Sequence, residues 1–90
     1  MEPAEFEAQL RREGFTEVVT ADMKPNETRA AHAHDYDVRA LVLDGDITLT
    51  CAGEERTYRT GDIFSMAAGQ SHTERVGRTG VRYLVGRKRS

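Results

Sequence analysis

Three histidines carry the chemistry this sequence can do. His32 and His34 flank Ala33, and His72 closes the segment that begins at Gly61. Residues two apart on a β-strand point to the same face. One extended segment can therefore aim two imidazoles at one point, and a neighbouring strand can bring the third. Neutral imidazole is the commonest protein ligand for metals. The pattern predicts a metal site inside a β-structure, with His32, His34 and His72 as ligands.

Those side chains need a scaffold. Residues 1–14 read as a short helix. Pro3 suits its first turn, Glu2, Glu5 and Glu7 oppose the dipole at the start, Arg11 and Arg12 do so at the end, and Gly14 stops it. Phe6 and Leu10 share one face. So short a helix is not stable alone and must dock that face on the rest of the chain or on a partner. Beyond it, glycines recur at 45, 53, 61, 69 and 77. Even spacing of turns is the mark of an all-β sandwich or barrel. Strands are expected at roughly 15–22, 27–34, 36–43, 46–51, 55–60, 62–67, 71–76 and 80–86, with turns at Pro25-Asn26, Asp44-Gly45 and 77–80. Ala40-Leu41-Val42-Leu43 is apolar on both faces. It reads as a central strand covered by the helix or by a second subunit. Cys51, Tyr36, Tyr58, Tyr83, Phe64 and Met66 read as core or barrel wall. Residues 87–90 read as a basic, frayed tail.

The composition narrows the rest. The 90 residues suffice for one domain, 1–90, with a thin stability margin, and a homodimer would relieve it. Thirteen basic residues against fifteen acidic ones make no polyphosphate-binding surface, so nucleic acid is not an expected partner. One cysteine cannot form an intrachain disulfide, no apolar run is long enough to span a membrane, and the acidic start does not look like a secretion signal. The expectation is a soluble cytoplasmic domain whose partner is a small molecule.

The His-x-His pair, the following Asp44-Gly45 and the segment from Gly61 to His72 resemble the two motifs of the cupin superfamily. His32, His34 and Gly45 match the first motif, and Gly61, Gly69 and His72 match the second. The resemblance covers residues 26–86 and implies an antiparallel β-barrel, the jelly roll or double-stranded β-helix of small RmlC-like cupins. It also implies one divalent metal, of the kind cupins hold as iron, manganese, nickel, zinc or copper. The chain departs from the motifs at Asn26, Ala67 and Val76, which replace a glycine, a proline and an asparagine. The larger departure is Val38, which stands where cupins carry a metal-binding glutamate.

Two carboxylates could replace that glutamate. A β-bulge after His34 would turn Asp37 onto the histidine face. Glu74 already shares a face with His72 if its strand is regular. Asp37 is the expected fourth ligand, with Glu74 or water as the alternatives. Arg39, Arg75 or Arg82 at the barrel mouth would suit a substrate carboxylate. The functional expectation is a metal-dependent enzyme for a small molecule, resembling a dioxygenase or an isomerase. The alternatives are a non-catalytic ligand-binding or sensor module and a metal-free structural barrel.

Overall fold

The computed structural model describes residues 1–89. Helix α1 runs Pro3–Arg12, followed by six strands: β1 Glu17–Met23, β2 Thr28–His32, β3 Asp37–Cys51, β4 Glu54–Arg59, β5 Ile63–Met66 and β6 His72–Lys88. All pair antiparallel.

The eight expected strands are present as six because two pairs are fused. The turn expected at Asp44-Gly45 is a bend inside β3, with register shifts between Val42 and Asp44 and between Gly45 and Ile47. The turn expected at 77–80 likewise lies within β6. Glycine at positive φ serves a bulge as readily as a hairpin, so the dipeptide alone does not choose. Contact across the two long strands decides it. Gly45 has φ +78°, and a Cβ there would sit 1.9 Å from the carbonyl oxygen of Gly80. A Cβ on Gly77 would meet the Asp46 carboxylate at 1.7 Å. The bends are nested, and only glycine lets them approach.

This bending divides the sheet into two halves. The first half of β3 pairs with the second half of β6 and with β5, while β1 adds on the far side of β6. The second half of β3 pairs with the first half of β6 and with β4, while β2 adds beyond β6. A true two-residue hairpin turn is at Ala52-Gly53, with φ of +51° and +79°.

Between the halves lie Met23, Val38, Ala40, Val42, Ile47, Leu49, Phe64, Met66, Val76, Val81 and Val85. Leu41 and Leu84 point the other way and are covered by Phe6 and Leu10 of α1. The helix, within the same chain, therefore covers the two-faced apolar strand. Burying Phe6 and Leu10 contributes about 1.5–3 kcal/mol each. Gly86 permits the close docking, since a Cβ there would be 2.9 Å from a Leu10 methyl. Among the described residues, the large apolar side chains left exposed are Met1 and Val19.

Arg87 and Lys88, expected in a frayed tail, are strand residues, and Arg89 donates to the Asp35 carboxylate at 2.9 Å. Ser90, the last residue of that expected tail, lies outside the described residues.

Candidate metal centre

Three short segments build the site. His32 ends β2, His72 begins β6, and the two are paired in register as neighbours on adjacent strands. The β2 strand is shorter than expected, and His34 lies just beyond it. Its carbonyl accepts a hydrogen bond from Gly69 N–H at 2.8 Å, which ties the end of the His-x-His segment to the turn before His72. The ring centroids are 5.0 Å apart for His32 and His34, 4.4 Å for His32 and His72, and 5.3 Å for His34 and His72. Tyr36 stacks on His34 at 4.8 Å and fixes the plane of that ring.

Glu74 is the carboxylate brought to the histidines. It follows His72 by two residues on β6, where His72, Glu74 and Val76 all point inward. Donor atoms of His32, His34, His72 and Glu74 all lie within 4.8 Å of one another. Asp37 is not brought to this group. Its Oδ1 accepts from the backbone N–H of Ala68 at 2.8 Å, and its Cα neighbour is Lys88. Asp37 enters β3 beside Lys88 with its carboxylate held by the Ala68 amide rather than turned to the imidazoles. Val38, at the family's glutamate position, lines the adjoining cavity.

The hydrogen bonds around the imidazoles select a tautomer. Nδ1 of His32 is 2.8 Å from the Ala30 carbonyl, and Nδ1 of His72 is 3.2 Å from the Gln70 carbonyl. A carbonyl oxygen only accepts, so each Nδ1 carries the proton. In a neutral imidazole the lone pair is then on Nε2. Both Nε2 atoms approach Oε2 of Glu74, at 3.0 Å from His32 and 3.1 Å from His72. An ionised carboxylate also only accepts. Two lone pairs and an anionic oxygen thus converge in a place where His72 and Glu74 are buried. Extra protons or a cation must bridge them, and one cation meets all of these donors at once. Backbone carbonyls orienting ligand histidines through Nδ1–H are the usual support of a metal centre. The donor set, three imidazole nitrogens and one carboxylate, fits a first-row divalent ion.

Electrostatics keep His34 in the ligand form. Its pKa is lowered, first by burial and then by the neighbouring His32 and His72, with Glu74 opposing and Arg87 adding to the effect.

A cavity of about 100 Å³ adjoins the centre. His34 and Glu74 form its metal-donor side, and Tyr36, Phe64, Met66 and Tyr83 are part of its wall. Burial and the Glu74 charge push the Tyr83 phenol up, so Tyr83 remains an O–H donor. The arginines expected at a barrel mouth are elsewhere: Arg39 pairs with Glu13, Arg75 with Glu55 and Arg82 with Asp22. Arg29 and Arg87 line the cavity instead. Cys51 is a half-buried free thiol whose backbone pairs with His72.

Residues 19–85 match the model of the cupin domain family. The chain belongs to that family. As a cupin, it shares its fold with solved structures. A structural-genomics protein of unknown function from Rhizobium leguminosarum bv. viciae 3841 superposes with a TM-score of 0.76 at 20% identity, over 81% of this chain and 69% of that one. An RmlC-like cupin from Shewanella frigidimarina NCIMB 400 gives 0.70 at 18% identity, over 81% and 65%. KdgF from Halomonas sp. gives 0.65 at 21% identity, over 81% and 69%. At these identities the likeness is one of fold. Among curated proteins, none matches this cupin in sequence. Among the described residues, no helix is long and apolar enough to cross a membrane.

Proposed function

We propose that this cupin binds one divalent metal ion through His32, His34, His72 and Glu74 and acts on a small molecule held in the adjoining cavity. The observation that carries this reading is the Nδ1–H bonding of His32 and His72. It turns both Nε2 lone pairs toward a buried carboxylate that cannot donate to them.

The bound metal would supply Lewis acidity toward a substrate oxygen or, if redox-active, access to dioxygen. The rest is the work of the chain. Ala30 and Gln70 carbonyls hold two ligand rings in one tautomer, and Tyr36 holds the third by stacking. Phe64, Met66, Val38 and Leu49 exclude water from the inner end of the cavity. Tyr83, protonated at neutral pH, offers a hydrogen bond to a substrate oxygen from the cavity wall. The cavity is far smaller than the roughly 300–1,000 Å³ of drug-sized sites, which points to a compact substrate. An isomerase or a dioxygenase of small oxygen-rich molecules is the enzyme class this arrangement supports.

Elemental analysis of protein purified without added metal tests the first half of the reading. Near-stoichiometric metal in the wild type, absent from a variant with all three histidines changed to alanine, supports it. Oxygen uptake and turnover over small diketones, thiols and sugars test the second half. Turnover that survives in the triple variant contradicts the metal-dependent enzyme.

A further inference from the structure

The cavity beside the donor cluster has a chemical polarity that the metal reading does not use. Glu74 and His34 lie on its donor side, while Arg29 and Arg87 bring two permanent positive charges to its lining. They reach it from different strands. Arg29 is on β2, paired in register with Glu74, and Arg87 is near the end of β6, paired with Val38. Both charges act on the same phenol, each opposing the upward effect of burial on Tyr83.

Neither guanidinium has its N–H donors saturated by the fold, although Arg87 also lies over the Tyr36 ring at 5.7 Å. Arg29 reaches Glu27 through Nε alone, at 3.3 Å, and its side chain is 48% exposed. Arg87 reaches Glu17 through one terminal nitrogen, at 3.0 Å, and its side chain is 30% exposed. Each fork keeps most of its five N–H donors for another partner. Glu27 and Glu17 each take one nitrogen of these forks and Glu74 would be committed to the metal, so what the cavity offers an anion is the set of N–H donors that Glu27 and Glu17 leave free.

We infer that this cavity recognises a compact carboxylate, with Arg29 and Arg87 binding its anionic end while the remainder of the molecule reaches toward His34 and Glu74. The inference rests on the metal reading only for the placement of the second end. A guanidinium fork matches the two coplanar oxygens of a carboxylate. The restricted volume fits a short acid bearing a carbonyl or hydroxyl, such as an α-keto or α-hydroxy acid. The specificity-determining residues are then Arg29 and Arg87, with Tyr83 a neutral donor in the same cavity wall.

The test is calorimetric titration of zinc-loaded protein with pyruvate, with diacetyl as its uncharged counterpart and inorganic phosphate as a second anion. Metal content is measured on the same samples. Wild type is expected to bind pyruvate at least about tenfold more tightly than diacetyl or phosphate, because a hydrogen-bonded charge is lost with the former and a planar two-oxygen group with the latter. Arg29→Gln and Arg87→Gln should each weaken pyruvate by about tenfold while retaining zinc, and diacetyl binding should not change. Arg87→Lys, which keeps the charge and the packing stem, should recover part of the loss. Equal binding of pyruvate and diacetyl, or pyruvate binding indifferent to both arginine changes, overturns the inference and leaves the metal reading intact. Phosphate binding as tightly as pyruvate also overturns it, in favour of an unselective anion site. Arginine-dependent pyruvate binding by protein that takes up no zinc upholds the inference and contradicts the metal reading.

Discussion

His72 Nε2 and Glu74 Oε2 lie 3.1 Å apart on two buried side chains of one strand. On the proposed reading, Glu74 stands in for the carboxylate that the resemblance to cupins implies at Val38. That carboxylate would then come from β6 instead of β3.

The exchange makes a sharp mutational contrast. Glu74→Gln is expected to weaken metal binding by at least about tenfold, since even partners outside the ligand set typically cost 10–100-fold. Asp37→Asn should leave metal affinity unchanged and cost no more than about 1 kcal/mol through its bond to Ala68 N–H. Competition against a chromophoric chelator reads the affinities, and urea unfolding reads the stability. Equal loss of affinity in both variants would return Asp37 to the site.

The nested bends predict where the barrel is least tolerant. Gly45→Ala meets the Gly80 carbonyl at 1.9 Å and also requires φ +78°. The expected loss is at least about 3 kcal/mol, or failure to fold. Gly69→Ala has a positive φ but open space around the new methyl, so about 1–2 kcal/mol is expected. Equilibrium unfolding of the two variants against wild type measures the difference.

Alkaline pH should expose the buried phenol beside the site. Tyr83 is raised above its ordinary value, mainly by burial. For a group whose folded pKa exceeds its unfolded one, the stabilisation is complete below the unfolded value, about 10 for tyrosine, and is lost as pH rises through the folded value. Wild type should therefore lose stability as pH rises above about 10, more steeply than Tyr83→Phe. Thermal unfolding of both at alkaline pH checks the slope, and absorbance at the phenolate band should show a late-titrating component that Tyr83→Phe removes. Identical slopes would place Tyr83 in contact with solvent.

Much of this architecture is legible in the residues, and the misreadings have physical causes. The glycine rhythm and the alternation of Ile47, Leu49 and Cys51 announce a barrel, because strand pleating imposes a period of two on any half-buried segment. The helix is legible from Pro3, the end charges and Gly14, and its docking face from Phe6 and Leu10. Strand fusion at Gly45 is not, since a positive φ suits hairpin and bulge alike and only contact with Gly80 decides. The histidine pattern identifies the segments that meet. The carboxylate is harder, because Asp37 and Glu74 each lie within two residues of a plausible ligand position. The alternation from His72 through Glu74 to Val76 favours Glu74, whereas Asp37 would need a bulge before β3, and its carboxylate is on the Ala68 amide instead. Arg29 and Arg87 could not be separated from the other arginines, since their approach to one cavity depends on pairing between distant strands.

X-ray absorption spectroscopy of the zinc-loaded protein addresses the donor set most directly. The expected spectrum shows one ion per chain with three imidazoles and a carboxylate oxygen at about 2.0–2.2 Å, and one fewer protein oxygen after Glu74→Gln. A shell of water oxygens without imidazole scattering, or a spectrum unchanged in a His32, His34 and His72 triple alanine variant, would contradict it.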